Sequence, residues 1–551
     1  MAKTKGQNYM HGAAILTVGV IIMKILGVFY KIPLGNILGD EGYSMFISAY
    51  SIYNIFFTLA TAGLPVALSR LVAEADANGR VRQEDKLFKV ALSAFTVMGL
   101  AFGLIMFCFP NWLAAVYLEN PDAAMSIRAM APAILLVCMV SAYRGYCQGN
   151  GNMLPTTVDE VLEVLFKVIS GLILAVVVLK MFEGKANALP MGSAAAIFGV
   201  SIGSVISLLY MVIYKKRNYN LLAAPYTGGR DANDVPDDDD VVDSAASIIK
   251  QLLKIGVPIA FGACIMALLN SVDSKLCMNR LQAAAGFNYQ QAKVLYGVYG
   301  KAQTLFNLPA AFITPLTISI VPAIAAALAK GNKQEASLIT EDSLRISSFI
   351  SIPMGVGLCV MSWPIMNVLY PGSHQAGPVL LGVMGIASFF VCIVLMQNAI
   401  LVSSGREKLT MLTLISGSVL KIVINWFLVA RPEINIYGAP VGTLMSYFYM
   451  AALNYFFMCR TLDRRPRLLR IFSGSVAASL LMGLSAWAVY GLASRFVGLD
   501  SWFKIALCMC MGVGVAVIVY LVSAICLKAI TKADMKLIPG GEKVAKLLHI
   551  H

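Results

Sequence analysis

The sequence predicts an all-α membrane protein with about fourteen membrane-spanning helices, and three observations lead to this fold class. The 551 residues are 58% hydrophobic and 13% charged, whereas soluble globular proteins carry about 25% charged residues. The mean hydropathy is +0.75. The apolar residues are gathered in runs of about 20 or more, which is the length that a helix needs to cross a bilayer. Lipid must therefore replace water around most of the chain.

Fourteen apolar runs have the length of a membrane-spanning helix. Several of them contain Gly or Pro, which membrane helices tolerate. The eighth run is long and contains Pro309, Pro315 and Pro322, so we expect a kinked or broken helix there. The predicted spans are 12–34, 43–68, 89–112, 125–147, 155–180, 190–214, 252–279, 294–328, 343–369, 377–402, 409–430, 437–459, 471–493 and 503–527.

The charges of the loops predict the direction of every span. Cytoplasmic loops of membrane proteins carry more Lys and Arg than outer loops do. With the N-terminus inside, the inner segments hold basic groups such as KKR at 215–217 and RRPRLLR at 464–470. The outer segments then hold few basic residues, which are Lys180, Lys185, Arg280, Lys293, Arg431, Arg495 and Lys504. We therefore predict a multi-pass protein of the cell membrane with both termini in the cytoplasm.

The longest polar break, at 215–251, and a weak internal repeat divide the chain into two six-helix lobes. The break is rich in Asp, which is typical of a solvated linker rather than of a cation site. Span five carries Lys167, and span eleven, six helices later, carries Lys421 in a similar apolar context. The predicted parts are a first lobe at 1–214, the cytoplasmic linker at 215–251, a second lobe at 252–460, two further helices at 461–530 and a cytoplasmic tail at 531–551.

The composition argues against several other classes of protein. The formal net charge is +14, but the basic residues are spread between apolar runs, which argues against nucleic-acid binding. The eleven cysteines include no pair with metal-binding spacing, and the four histidines form no H-E-x-x-H motif. A membrane glycosyltransferase would need such a metal or carboxylate constellation at a membrane face. We therefore predict no enzyme activity and no metal or organic cofactor.

Four lysines lie deep within the predicted spans. At about 1.5 Å per residue, Lys24 lies about 20 Å beyond His11, in a hydrocarbon core about 30 Å thick. A charged residue at the centre of a membrane helix costs about 2.5–3.5 kcal/mol. Lysines nearer an interface, such as Lys31 and Lys275, can extend their ammonium groups to water. The four deep residues are Lys24, Lys167, Lys301 and Lys421.

Two interpretations of the deep lysines are open. In the first, each lysine pairs with a carboxylate and holds helices together: Glu163 lies one turn before Lys167, and Asp273 could pair with Lys24 or Lys275. In the second, the lysines share a polar cavity with excess positive charge, which would bind an anion such as a phosphate or pyrophosphate. The carboxylates within the spans are too few to neutralise every lysine, so the sequence favours the cavity.

Four segments of the sequence resemble those of a known family. The segments are MKILGVFYKIPLGNILGDEGYSMFISAYSIYNIFFTLATAGLPVALSRLVAEA from residue 23, SAYRGYCQGNGNMLPTTVDEVLEVLFKV from residue 141, LLKIGVPIAFGACIMALLNSVDSKL from residue 252 and RPEINIYGAPVGTLMSY from residue 431. They resemble the stage V sporulation protein B and lipid II flippase group of the multidrug/oligosaccharidyl-lipid/polysaccharide exporter superfamily. The similarity follows the order of the family's helices and covers essentially the whole chain.

The resemblance implies a fold, an activity and partners. The fold would be MATE-like: two six-helix lobes in a V around a central cavity, with two C-terminal helices that form a groove for a lipid tail. The activity would be the movement of a polyprenyl-pyrophosphate-linked saccharide, foremost the peptidoglycan precursor lipid II, from the inner to the outer leaflet of a bacterial membrane by alternating access. The partners would be this lipid-linked saccharide, membrane lipids and proteins of cell-wall synthesis.

The resemblance also implies roles for individual residues. Lys24 stands where related flippases place an essential cation of the first helix, commonly arginine, and Lys31 is less clearly equivalent. Lys301 lies near the eighth-helix arginine of those relatives, but a lysine offers a point charge and not a bidentate fork. The predicted substrate-binding residues are Lys24, Lys31, Lys167, Lys301 and Lys421; the predicted charge partners or ion-coupling residues are Asp159, Glu163 and Asp273; the predicted gate residues are Arg70 and Arg144.

Two functional alternatives and the driving force are open at this point. One alternative is a flippase for another lipid-linked polysaccharide unit, and the other is a MATE-type drug/cation antiporter, which would have an acidic cavity and usually twelve helices. An intramembrane charge also couples to the membrane potential, at about 2.3 kcal/mol per charge per 100 mV. Coupling to Na⁺ or H⁺ through Glu163 or Asp273 is the other source of energy that the sequence suggests.

Overall fold

A computed structural model describes residues 5–217, 242–461, 465–527 and 529, which form helices joined by loops, with no strand among them. The part of the chain up to the linker contains α1 Lys5–Ala62, α2 Leu64–Ala77, α3 Val81–Cys108, α4 Ala124–Gly149, α5 Leu154–Met181 and α6 Ala188–Arg217. The part after the linker contains α7 Ala245–Ala283, α8 Tyr289–Phe306, α9 Leu308–Ala329, α10 Lys333–Val360, α11 Ser362–Leu369, α12 Ala376–Ser403, α13 Glu407–Leu428, α14 Gly438–Thr461, α15 Leu468–Val497 and α16 Trp502–Cys526.

The helices confirm the predicted all-α membrane fold. Among the described residues, twelve helical segments are long and apolar enough to cross a membrane. One of them, Val18–Ala77, has 60 residues, and about 20 residues suffice for one crossing. It therefore corresponds to the first two predicted spans. Its first break is at Gly39, where φ is 65° and ψ is −172°. The predicted span 437–459 has its counterpart in α14.

Three predicted spans are interrupted by a residue that ends one helix and begins another. The break predicted in the eighth span is confirmed, and it lies at Asn307, directly before Leu308 and Pro309. The second predicted span also breaks, at Gly63, and Pro65 stands in the first turn of α2. The ninth span begins ten residues earlier than predicted, at Lys333, and breaks at Met361.

The described chain forms two compact units, which divide between Lys275 and Leu276: unit 1 lies before the division and unit 2 after it. The division therefore lies within α7 and not in the linker. The reason is that the start of α7 packs closely on the break at Gly63. A Cβ at Gly256 of α7 would lie 2.8 Å from a side-chain carbon of Leu64, the residue after Gly63. The start of α7 is thus built into unit 1.

The predicted linker is shorter than 215–251, because helix occupies both of its ends. α6 continues to Arg217 and α7 begins at Ala245. Asp243 is held against α3, since Gln83 donates to its carboxylate at 3.1 Å and accepts from its backbone N–H at 2.9 Å. The remaining six aspartates of the acidic run, and the predicted cytoplasmic tail at 531–551, lie outside the described residues.

Unit 2 has its own apolar core and carries the two helices that follow the second lobe. Ile313, Leu344 and Met396 of α9, α10 and α12 are fully buried together. α15 and α16 pack against one another and against α10, and the hydroxyl of Tyr520 donates to the carbonyl of Phe349 at 2.6 Å. The helices predicted at 471–493 and 503–527 are therefore integral to this unit.

Candidate functional site

The candidate site of unit 1 begins with the packing of α1 on α5. A Cβ at Gly19 of α1 would collide with Thr157 of α5, so the two backbones approach closely there. Further along, the Tyr30 ring lies against Gly171, and its hydroxyl donates to the carbonyl of Ala196 on α6 at 3.0 Å. Gly19 of α1 meets Thr157 of α5, and Tyr30, further along α1, meets Gly171, further along α5. The two helices therefore run in the same direction, as the alternation of spans one and five predicts.

Three lysines lie along this contact of α1 with α5: Lys24 and Lys167 between the two contact points, and Lys31 directly after Tyr30. Lys24 and Lys31 are on α1, and Lys167 is on α5. The ammonium group of Lys31 is within electrostatic range of Lys167 and Lys24. Lys24 is exposed, and Lys31 and Lys167 are half-buried. We call these three residues the lysine cluster.

Within the described part of the chain, no carboxylate lies within 4 Å of any ammonium group of the lysine cluster. Lys31, which the sequence predicts near an interface, lies within electrostatic range of Lys24 and Lys167. Like charges held together without a counter-charge destabilise a fold. The cluster is therefore suited to receive an anion that carries more than one negative charge.

The carboxylates of α5 are bound elsewhere, by Arg144 of α4. The guanidinium donates from Nε to Asp159 at 3.0 and 3.1 Å, and from Nη2 to Glu163 at 2.9 Å. Nη1 lies 3.6 Å from Glu160. Arg144 is 8% exposed and Asp159 is fully buried. We call Arg144, Asp159, Glu160 and Glu163 the arginine cluster.

Two serines of α6 complete the arginine cluster. Ser207 donates to Asp159 at 3.2 Å, and Ser204 donates to Glu163 at 3.3 Å. α6 can come this close because Gly199 and Gly203 form a GxxxG motif, which permits tight helix packing. A Cβ at Gly199 would lie 2.6 Å from the Cα of Gly171, and a Cβ at Gly203 would collide with the carbonyl of Glu163. Neither serine is among the site residues predicted from the sequence, although the GxxxG motif is a signal for this contact.

The arginine cluster corrects one of the predicted pairs. The i, i+4 spacing suggested that Glu163 neutralises Lys167, but Glu163 is bound by Arg144 and Ser204. A guanidinium can donate several hydrogen bonds to two carboxylates at once, so Arg is a better partner for Asp159 and Glu163 together than the single ammonium group of a lysine is. Lys167 is therefore left to the lysine cluster, which favours the anion-site interpretation for unit 1.

The other predicted residues of unit 1 lie outside both clusters. Arg70 is exposed on α2, the helix that begins directly after the break at Gly63. Asp273 is 5% exposed on α7. Lys275, one of its two predicted partners, donates to the carbonyl of Val116 at 3.4 Å.

Lys301 and Lys421 belong to unit 2. Lys301 on α8 is 2% exposed, and its ammonium group lies 5.2 Å from the centre of the Tyr370 ring. Lys421 is half-buried on α13. The structure also buries Lys293, which was predicted as an outer-loop residue, with its ammonium group 5.1 Å from the Tyr289 ring. An ammonium group over an aromatic face is stabilised by a cation–π interaction.

No group of three or more His, Cys, Asp or Glu side chains that could hold a metal ion occurs in the described ranges. The charges of unit 1 suit an anion at the lysine cluster and a proton at the arginine cluster, where three carboxylates face one guanidinium.

Comparisons with known proteins agree with this description. A sequence model of the family described as "Polysaccharide biosynthesis protein" matches residues 9–328. The chain is 27% identical to the lipid II flippase MurJ of Bacillus subtilis (strain 168) in an alignment of 463 residues that covers 82% of each protein. It is 24% identical to stage V sporulation protein B of the same organism in an alignment of 555 residues that covers 97% of this chain and 98% of that one.

The fold also agrees with a solved structure. The lipid II flippase MurJ in its inward closed conformation matches with a TM-score of 0.61 and 13% identity, over 93% of this chain and 98% of that one. At this identity the match supports the fold alone. Together with the sequence relatives, it confirms the predicted resemblance and the predicted fold class.

Proposed function

The chain belongs to the polysaccharide biosynthesis protein family, and from that membership we propose that it translocates a polyprenyl-pyrophosphate-linked saccharide across the bacterial cell membrane. We favour lipid II as the substrate and outward movement as the direction. The family and the fold are those of transporters and not of enzymes. The observation that carries the proposal is the lysine cluster of unit 1, in which Lys24, Lys31 and Lys167 have no carboxylate within 4 Å in the described chain.

A pyrophosphate diester matches the lysine cluster in charge and in chemistry. Its two phosphates carry negative charge on several oxygens, and each ammonium group offers three donors without a fixed geometry. A substrate of this kind would supply the counter-charge that the fold itself does not supply. The saccharide would follow the pyrophosphate, and the polyprenyl tail would stay in lipid because its apolar surface gains nothing in water.

The choice of lipid II comes from the relatives. One relative, 27% identical, is named for lipid II flipping, and another for a stage of sporulation. A flippase for a different lipid-linked unit would use the same pyrophosphate chemistry, so the lysine cluster supports both substrates equally. Lys301 and Lys421 stay predicted contacts for the substrate, and Arg70 stays a predicted gate residue.

The drug/cation antiporter is less well supported. Such a protein needs carboxylates that are open to a cationic drug. In unit 1 the carboxylates of α5 are bound by Arg144, whereas the described chain places no carboxylate within 4 Å of the lysine cluster. An antiporter of cationic drugs is therefore the poorer match to unit 1.

We further propose that the arginine cluster carries the coupling ion. One guanidinium cannot neutralise Asp159, Glu160 and Glu163 together, and burial disfavours the excess negative charge. A proton or a Na⁺ ion bound there would remove the excess. The membrane potential acts on the lysine cluster in the same transport cycle. The cytoplasmic location of both termini and the association with cell-wall synthesis proteins stay predictions.

The test is translocation in vesicles that contain the purified full-length protein. Lipid II and a second polyprenyl-pyrophosphate saccharide that lacks the stem peptide would each be placed in the inner leaflet, with and without a membrane potential. We expect both to move and lipid II to move faster. If the second lipid moves and lipid II does not, the substrate is another saccharide unit. If neither lipid moves with any potential or with a Na⁺ or proton gradient, the flippase proposal fails.

A further inference from the structure

Unit 2 contains a second basic site, a pocket of about 310 Å³ between α10 and α15. Two arginines line it, Arg345 from α10 and Arg470 from the first turn of α15. Ser473 and Gly474 form the wall along α15, and the turn after α16 closes the pocket with Leu527 and Ala529. None of these residues belongs to the lysine cluster.

Close packing of the turn after α16 onto α15 defines the pocket. A Cβ at Gly474 would lie 3.1 Å from the Cα of Ala529, so only glycine permits this approach without a shift. The turn is itself held by helix-like hydrogen bonds, from Leu527 to Ser523 and from Ala529 to Ala524, both at 2.9 Å. The wall is therefore a fixed part of the fold.

The electrostatics of the pocket favour an anion. The side chain of Arg345 is 25% exposed, lines the pocket and forms an ion pair with Asp342 at 3.6 Å. Arg470 is exposed at the positive end of a 30-residue helix, and the N-cap residue Arg467 makes no side-chain hydrogen bond to that end. Two guanidinium forks and a helix N-terminus together form a strong site for phosphate oxygens.

The surroundings indicate that the phosphate belongs to a lipid. Leu469, next to Arg470, is 90% exposed, and its apolar side chain has no reason to face water in a membrane protein. The charges of the loops place both arginines at the cytoplasmic ends of their helices. Basic pockets between membrane helices on that side typically bind anionic lipid headgroups.

We propose that this pocket binds the phosphodiester headgroup of an anionic membrane phospholipid, with its acyl chains along Leu469 and the lipid-facing side of α15. The site is separate from the transport cycle proposed above and holds whether or not the chain translocates lipid II. A bound lipid would join α10, α15 and the end of α16 at one charged point.

Lipid binding to the purified full-length protein in detergent tests the pocket. The probes are phosphatidylglycerol and phosphatidylcholine of the same chain length, with bound lipid measured by native mass spectrometry. We expect phosphatidylglycerol to bind at least about tenfold more tightly, and R470Q and R345Q each to weaken it about tenfold, because a lost charged hydrogen bond costs about 1.5–3 kcal/mol. R495Q, at the opposite end of α15, is the matched control and should bind like the wild type.

Three outcomes would overturn the proposal. The first is equal binding of the two lipids, and the second is an equal loss of binding in R495Q and R470Q. The third is displacement of phosphatidylglycerol by millimolar inorganic phosphate, which would make the pocket a site for free phosphate. R470Q changes an exposed residue, so its melting temperature should match the wild type and its binding result stands even if R345Q fails to fold.

Discussion

The two charged clusters of unit 1 share one helix and have opposite electrostatic situations. Glu163 and Lys167 are one turn apart on α5, yet Glu163 is bound by Arg144 and Ser204, whereas Lys167 joins two other lysines. The carboxylates of the arginine cluster have a counter-charge in Arg144, whereas the lysine cluster has no carboxylate within 4 Å in the described chain. The difference indicates that the first cluster mainly holds α4, α5 and α6 together, while the second is built for a ligand.

This comparison leads to opposite effects of mutation. Removing a member of a buried, paired group leaves a charge without its partner and destabilises the fold. Removing one of several like charges relieves repulsion, so the fold keeps its stability and only ligand binding is lost. Stability and transport should therefore separate cleanly between the two clusters.

The largest expected effect is that of R144A. Asp159 is fully buried, and with Glu163 it would lose its main counter-charge, so we expect a loss of about 3–5 kcal/mol in stability. The measurement is the melting temperature of the detergent-solubilised protein together with its amount in the membrane. R144K keeps the charge and should recover part of the loss. Normal accumulation and melting of R144A would show that the arginine cluster does not hold the helices.

The next effect concerns K24A and K167A, which should leave stability unchanged and abolish transport. Each removes charged hydrogen bonds to the pyrophosphate that are worth about 1.5–3 kcal/mol, which is about a 10–150-fold loss. The measurement is complementation of a flippase-depleted strain, with membrane accumulation checked in the same cells. K180A is the control, because Lys180 is exposed at the end of α5, the helix that also carries Lys167. Normal growth with both K24A and K167A would contradict the anion site.

G203A tests whether the approach of α6 to α5 positions the arginine cluster. The added Cβ collides with the carbonyl of Glu163, and such overpacking costs about 1–3 kcal/mol. We expect a lower melting temperature and, because Ser204 moves with its helix, slower transport. G27A, where a Cβ meets nothing within 4 Å, is the matched control on α1. Equal melting temperatures for the two variants would show that α5 and α6 can separate at no cost.

Among the variants that alter the arginine cluster, E163Q has the smallest expected effect on stability, about 0.5–1.5 kcal/mol, because the amide still accepts a hydrogen bond from Arg144. The same variant tests coupling, since it removes one of the three carboxylates. We expect transport by E163Q to lose its dependence on a proton or Na⁺ gradient while its response to the membrane potential stays. An unchanged gradient dependence would exclude Glu163 as the coupling residue.

Much of the fold could be predicted from the sequence, because hydropathy and helix length are local properties. The bounds of α4, α5 and α12 agree with the predicted spans to within a few residues. The early start of α10 could not be predicted in this way. Its first turns are polar, so they carry no hydropathy signal, although their serines are buried against neighbouring helices.

The candidate site could be predicted only in part, because pairing of charges depends on which helices meet. The depth of Lys24 and Lys167 followed from counting residues along their own helices. The position of Lys31 and the binding of Glu163 by Arg144 depend on the contacts of α1 and α4 with α5, and spacing along one helix cannot report these contacts. The GxxxG motif of α6 is a local signal for the contact of α6 with α5 alone.

The most direct test of the central claim is the binding of a polyprenyl pyrophosphate without saccharide to the purified protein. Wild type, K24Q, K31Q, K167Q and the control K180Q would be titrated in the same detergent. If the lysine cluster is the pyrophosphate site, each of the three cluster variants binds at least about tenfold more weakly and K180Q binds like the wild type. Unchanged affinity in all three cluster variants would contradict the claim.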